Sequence, residues 1–141
     1  MTGICFNNVI TDAEKQIIIS LFKTFGEIIV VSEDRINAIT AISGSGPAYF
    51  FLFVEAFINA AISLGFDNDT AKKLVKTTID GALELLLKSN ESPELLRQRV
   101  TSPGGTTEAA IKTFNNYMFA DMFKAAVNAA LNRANELAAI K

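Results

Sequence analysis

The chain contains no histidine, which removes the imidazole general base, the His-dependent serine and cysteine triads, and His-ligated zinc. Its single cysteine, Cys5, excludes an internal disulfide and a Cys-based metal site. That cysteine fits a reducing compartment and, lying in an apolar stretch, is expected to be a small buried hydrophobe. Strong charge of either sign is also missing. With 13 basic and 15 acidic side chains and a net charge of −2, there is no basic stripe for nucleic acid and no polybasic patch for an anionic membrane. No positively charged segment leads into a signal-length apolar run at the N-terminus, so a cytoplasmic protein is expected.

What is present is apolar mass. Half of the 141 residues are hydrophobic, enough for one domain of ordinary size to bury a core without staples. Ile4 to Ile10 and Gly26 to Val31 read as two short strands around a helix from about Asp12 to Phe25, in which Ile17, Ile18, Leu21 and Phe25 recur at helical spacing. From Asp34 onward the strand signals vanish. Long helical periods take over, with breaks expected near Ser43 to Gly46, Gly65 to Asp67, Asn90 to Pro93 and Ser102 to Gly105. The composition boundary near residue 33 divides an αβ tail, residues 1–33, from a helical domain, residues 34–141.

Between Ile36 and Phe66 the only charged residue is Glu55. The run Ala48 to Val54 is apolar around the whole helix circumference, a composition that a membrane span shares. Glu55 would then lie near mid-membrane at a cost of roughly 2.5–3.5 kcal/mol, Asn59 follows one turn later, and basic flanks are sparse. The buried centre of a helical assembly is therefore expected, with Ser45 as N-cap and Pro47 in the first turn. The next helix, about Asn68 to Ser89, sets Ala71, Leu74, Val75, Thr78, Ala82, Leu85 and Leu86 along one stripe that should pack on the first. In the last, about Asn116 to Ala139, Ala126, Ala130, Ala134 and Ala138 recur every four residues beside Phe123, Val127 and Leu131. Such a ridge permits close helix approach, although alanine is also simply the best helix former. So much apolar helix surface points to a partner subunit, and a homodimer is the working expectation.

The chemically suggestive stretch is Val100-Thr-Ser-Pro-Gly-Gly-Thr-Thr107, directly before an apolar-periodic segment opening at Glu108. Pro103 fixes one φ, while Gly104 and Gly105 permit positive φ and close approach of a ligand. Unpaired amides at a helix N-terminus, with the hydroxyls of Ser102, Thr106 and Thr107, could hold a carboxylate or phosphate. A plain turn with an N-cap uses the same residue types, so spacing alone leaves both readings open.

Taken together, Ile42-Ser-Gly-Ser-Gly-Pro-Ala-Tyr49, Val54-Glu-Ala56 and the Val100–Thr107 stretch, in this order and separation, resemble the carboxy-terminal half of the pyrroline-5-carboxylate reductase family. The likeness runs from about Thr2 to Leu137. It implies a mainly α chain, a helical dimerisation domain of the 6-phosphogluconate dehydrogenase C-terminal-like type, preceded by the last elements of a Rossmann domain. No Gly-x-Gly-x-x-Gly occurs in the sequence, so most of a dinucleotide-binding half is expected to lie outside it.

The resemblance further implies reduction of a carboxylate-bearing cyclic imine, 1-pyrroline-5-carboxylate, to L-proline with NADPH or NADH, the chain alone being inactive. Hydride transfer to a protonated imine needs orientation more than a strong base, so the missing histidine is no obstacle. By the same likeness, Ser102, Gly105, Thr106 and Thr107 bind the substrate carboxylate and Thr107 is the catalytic contact to the ring nitrogen. Glu33 corresponds to a substrate-associated glutamate, though a solvated acid at a helix start would look the same. Ser43, Ser45 and Pro47 border the nicotinamide, and Arg99 stands where relatives have a cofactor-contacting amide. Relatives form homodimers and rings of dimers. No metal, nucleic acid or membrane is implied. The alternative is a non-catalytic oligomerisation module that binds proline-like acids.

Overall fold

The computed structural model of the chain describes residues 1–140. Two three-residue strands, β1 (Thr2–Ile4) and β2 (Ile28–Val30), pair in parallel with Thr2 opposite Ile28 and Ile4 opposite Val30. Helix α1 (Asp12–Lys23) makes the crossover between them. It opens with a reciprocal capping box: the Thr11 hydroxyl accepts from the Glu14 amide, and the Glu14 carboxylate accepts from the Thr11 amide at 2.9 Å. The first strand lies earlier than the apolar pattern suggests. Cys5 to Ile10 runs on as irregular chain because its Asn7-Asn8 pair favours turns, the Asn7 side chain accepting from the Val9 amide. Cys5 is exposed rather than buried.

A 3₁₀ turn (Glu33–Arg35), α2 (Ile36–Ile39) and a π-helical segment (Thr40–Gly44) follow directly on one another, and only Ser45 separates them from α3 (Gly46–Ser63). The break expected at Ser43 to Gly46 shrinks to a single bend at Ser45. Pro47 cannot donate the hydrogen bond that an α-helix would require there, and the backbone widens instead, with the Ser45 amide donating to the Thr40 carbonyl at 2.9 Å. Ser45 is helical, with φ −86° and ψ −21°, and is not an N-cap. Helices α4 (Asn68–Lys88), α5 (Pro93–Arg99), α6 (Thr106–Asn116) and α7 (Phe119–Ala139) complete the chain. Asp67 caps α4 through 3.0 Å bonds from the Asp69 and Thr70 amides, and Ser92 caps α5, whose first residue is Pro93. The last helix begins at Phe119, three residues later than expected, because Met118 adopts φ +52° and separates it from α6.

The chain forms two compact units, residues 1–47 with 124–141 and residues 48–123. In the second, Ala61, Ala71 and Val75 form a buried cluster with Val54, Ile58 and Ile79 around it. The α4 stripe is thus Ala71, Val75 and Ile79, spaced by four, whereas Leu74, Leu85 and Leu86 are exposed. An aromatic chain also runs through this unit: Phe114 meets Phe119 at 5.6 Å, Phe119 meets Phe123 at 6.2 Å, and Phe123 meets Tyr49 edge-on at 6.1 Å.

Among the described residues only Ala41, Ala61, Ala71 and Val75 are buried hydrophobics. The accessible surface is 11038 Å², against about 7,100 Å² for a self-contained chain of this mass. Phe51 and Leu52, expected at a buried centre, are 66% and 67% exposed. The apolar residues of α3 are thus largely exposed.

Candidate functional site

The site is built from the loop between α5 and α6. Thr101 closes α5, its amide donating to the Gln98 carbonyl at 3.0 Å and its hydroxyl to the Arg97 carbonyl at 2.7 Å. Ser102-Pro103-Gly104-Gly105 then forms a type II turn. Pro103 takes the second position, Gly104 the third with φ +71°, and the Gly105 amide donates to the Ser102 carbonyl at 3.0 Å.

Only one of the two glycines uses the left-handed region. Gly105 has φ −83° and ψ 171°, an extended N-cap. What requires glycine there is close approach, since a Cβ at this position would lie 3.0 Å from the Ser102 carbonyl oxygen.

Helix α6 starts at Thr106, two residues before the apolar period begins at Glu108. Gly105 has no side chain with which to cap it, so the Thr106 and Thr107 amides stand at the first two helical positions without a side-chain acceptor. The macrodipole and these donors favour an anion there. Thr107 is half-buried, whereas Ser102 and Thr106 are exposed.

Two carboxylates that the sequence reading passed over shape this loop. Glu108, the third residue of α6, reaches back so that its Oε2 accepts from the Gly104 amide at 2.6 Å. Its signal was the spacing of a capping box, an acid three residues after the N-cap. Glu91 pairs through Oε1 with Arg99 Nη2, while its Oε2 is buried without a hydrogen-bond partner. Arg99 is thereby held against the turn before α5, and its side chain remains 64% exposed.

Within the first unit, Ser43 lies in the π-helical segment and lines a shallow cleft of about 270 Å³ with Thr2, Gly3, Ile36, Ile39 and Thr40. Ser45 and Pro47 follow at the π-to-α junction, and Glu33 opens the 3₁₀ turn as an exposed acid. Arg99, Ser102, Gly105, Thr106 and Thr107 thus form one local cluster. Ser43, Ser45 and Pro47 form another, and Glu33 lies at the head of the same helical run. No group of three or more histidine, cysteine, aspartate or glutamate side chains suited to a metal occurs among the described residues.

A helical run carrying a π-bulge, an uncapped, glycine-turned helix N-terminus and a single parallel βαβ unit define the class as a mainly helical chain with a short αβ portion. Residues 33–137 match the family described as pyrroline-5-carboxylate reductase dimerisation, and the chain belongs to it. Pyrroline-5-carboxylate reductase 2 of Bacillus subtilis (strain 168) is 40% identical over 133 residues, covering 92% of this chain and 48% of that protein. Pyrroline-5-carboxylate reductase of Pseudomonas aeruginosa is 50% identical over 106 residues, 75% of this chain and 39% of that protein. Among solved structures, a pyrroline-5-carboxylate reductase from Coxiella burnetii superposes with a TM-score of 0.87 at 44% identity, covering 96% of this chain and 50% of that one. The pyrroline carboxylate reductase of Plasmodium falciparum with NADP bound gives 0.85 at 31% identity, covering 94% and 55%. The chain spans about half the length of the relatives it matches.

Proposed function

We propose that this chain is the dimerisation and substrate-binding part of a reductase that converts 1-pyrroline-5-carboxylate to L-proline with NADPH or NADH. The observation that carries the reading is family membership over residues 33–137, with the type II turn and open α6 N-terminus falling inside that match. In this reading residues 1–33 are the tail of a dinucleotide-binding domain and residues 34–141 the helical domain.

The substrate carboxylate docks on the Thr106 and Thr107 amides beside the Gly105 N-cap, with the Ser102 hydroxyl as a further donor. The Thr107 hydroxyl bonds the ring nitrogen, fixing which face of the imine is presented. Glu33 contributes to substrate binding, and Ser43, Ser45, Pro47 and Arg99 border the cofactor. Orientation and electrostatics of this kind suffice for the protein's share of a hydride transfer.

The nicotinamide cofactor supplies the hydride. This chain does not fit its pyrophosphate, because the segment from β1 to α1 holds no glycine-rich turn: Cys5 to Thr11 carries no glycine at all. Its binding is assigned mainly to the rest of the dinucleotide-binding domain of which residues 1–33 are the tail. The exposed apolar faces of α3 support assembly through a second copy, as a homodimer or a ring of such dimers.

Fusion to the dinucleotide-binding half of the Bacillus subtilis relative tests the reading. The fusion is expected to reduce 1-pyrroline-5-carboxylate, the chain alone is not, and Thr107→Ala in the fusion is expected to lower kcat/KM roughly 5- to 150-fold. A fusion that dimerises and binds cofactor without turnover would leave the non-catalytic module as the better account, and turnover by the chain alone would overturn the division of labour.

A further inference from the structure

Helix α3 carries one charged residue, Glu55, and it stands with Asn59 inside an apolar stripe. Leu52, Glu55, Asn59 and Ile62 follow one another at spacings of three, four and three, which sets them in one row along the helix. All four are exposed, Leu52 at 67% and Ile62 at 39%. The row lies roughly a third of the way around from Val54, Ile58 and Ala61, the face that packs with Ala71 and Val75 of α4, and is not spent on that packing. Among the described residues neither Glu55 nor Asn59 makes a hydrogen bond or ion pair, not even with the other one turn away.

A covering surface of apolar groups alone would strand that carboxylate and that amide. The accessible surface of 11038 Å² exceeds that of a self-contained chain of this mass by about 3,900 Å², well beyond the roughly 800 Å² that each partner of a standard interface covers. A second copy brings the same row with it, and a spacing of three, four and three reads the same in both directions. When two such helices run antiparallel across a two-fold axis level with residue 57, Leu52 falls opposite Ile62 of the second copy and Glu55 opposite its Asn59, each contact occurring twice. A slip of one turn sets carboxylate on carboxylate or amide on amide, and a parallel arrangement sets every residue on itself. We infer, resting on the second-copy reading above, that Glu55 and Asn59 are the polar pair that fixes the register of α3 against α3 of a second copy. The Asn59 side-chain amide of each donates to the Glu55 carboxylate of the other.

Cysteine trapping in the 141-residue chain, with Cys5→Ser removing the one native thiol, reads that register. Leu52→Cys combined with Ile62→Cys is expected to give a disulfide-linked dimer on mild oxidation. Neither substitution alone is, because each residue and its own counterpart stand about 15 Å apart along the seam, beyond disulfide reach. Light scattering across a concentration series supplies a second readout. Asn59→Glu is expected to weaken the dimer roughly tenfold or more, and Glu55→Asn with Asn59→Glu, which exchanges the two groups and keeps them opposed, to restore it to within about threefold of the native chain. Self-linking by either single cysteine variant would overturn the register, as would an exchange variant no tighter than Asn59→Glu. A dimer that the paired cysteines fail to link would overturn it too, since α3 would then face another surface, such as the remainder of a dinucleotide-binding domain. A native chain that stays monomeric would bring down the second-copy reading itself, and the polar pair with it.

Discussion

The side-chain amide of Asn37 donates to the side-chain carbonyl of Asn135 at 2.9 Å, joining residues 98 positions apart within one unit of the chain. It is a neutral side-chain pair that fastens α2 to α7. Asn37 is half-buried and Asn135 exposed, so the bond is partly screened by water, and a net contribution of about 0.5–1.5 kcal/mol is expected. Urea unfolding of Asn37→Ala, Asn135→Ala and the double variant would measure it. The single losses should exceed additivity by roughly that coupling, and fully additive variants would mean that the pair holds nothing.

Gly104 and Gly105 should respond differently to the same substitution. A methyl group at Gly104 meets nothing within 4 Å, but the residue sits at φ +71°. Gly104→Ala should therefore cost about 1–2 kcal/mol through conformation alone, and Gly104→Asn less, since asparagine tolerates the left-handed region. At Gly105 the backbone is ordinary, and the Ser102 carbonyl 3.0 Å from the added carbon forces a local shift. Gly105→Val should thus distort the turn and weaken ligand binding while leaving α6 helical. Equal stability of Gly104→Ala and Gly104→Asn in chemical denaturation would remove the strain argument.

Most of the helices were legible because their signals are local. Thr11 with Glu14, Asp67 before α4, and Ser92 before Pro93 are caps whose side chains reach only two or three residues. The π-helical segment was not legible. The residues Ser43 to Gly46 are those of an ordinary loop, and what carries the helix through Gly44 is the i to i−5 bond from Ser45 to Thr40, to which Pro47 was the one sequence clue. Similarly, Met118 ends α6 at positive φ without a glycine to announce it.

For the candidate site, the Ser102–Thr107 turn was readable from proline and glycine placement, including the helix that follows. Which glycine would be left-handed was not, because both are permitted everywhere and only the turn type decides. Glu108 and Glu91 escaped notice since an acid near a helix start is usually a solvated charge. Their roles depend on partners, Gly104 and Arg99, that become visible only in three dimensions.

Acid should loosen α4 at its N-terminus. The Thr70 hydroxyl, then the Thr70 and Asp69 amides, hydrogen-bond the Asp67 carboxylate and hold its pKa below the usual aspartate value. Because the folded pKa is depressed, the stabilisation is fully present above the unfolded aspartate value near 3.9 and is lost as pH falls through the folded value. The Thr11 and Lys15 contacts depress Glu14 and Asp12 in the same sense at α1. Asp67→Asn retains a good N-cap without the titration, so its melting temperature should fall less steeply than that of the native chain between about pH 5 and pH 2. Parallel pH profiles for the two proteins would show that this cap does not couple to protons.

Assembly is the prediction with the largest physical force behind it. A 15.3 kDa chain that exposes 11038 Å² carries about 3,900 Å² more accessible surface than a self-contained one, and the excess includes Phe50, Phe51, Leu52 and Phe53 in a continuous helical stretch. The same run from Glu33 to Ser63 is long and apolar enough to cross a membrane by length and composition alone, yet it holds Glu55 and Asn59. A protein surface can partner those polar groups where lipid cannot. Light scattering across a concentration series is expected to give a stable mass of twice 15.3 kDa or a multiple of that dimer. Phe51→Asp should shift the distribution towards monomer, because the substitution places a charge on a face that has to be dehydrated. Ala130→Leu, on the half-buried side of α7, should lower the dimer fraction by adding bulk to the row of small residues expected to face a second copy. A folded monomer of the native chain at tens of micromolar would mean that these apolar faces are stable in water without a second copy, and the assembly reading of α3 would fail.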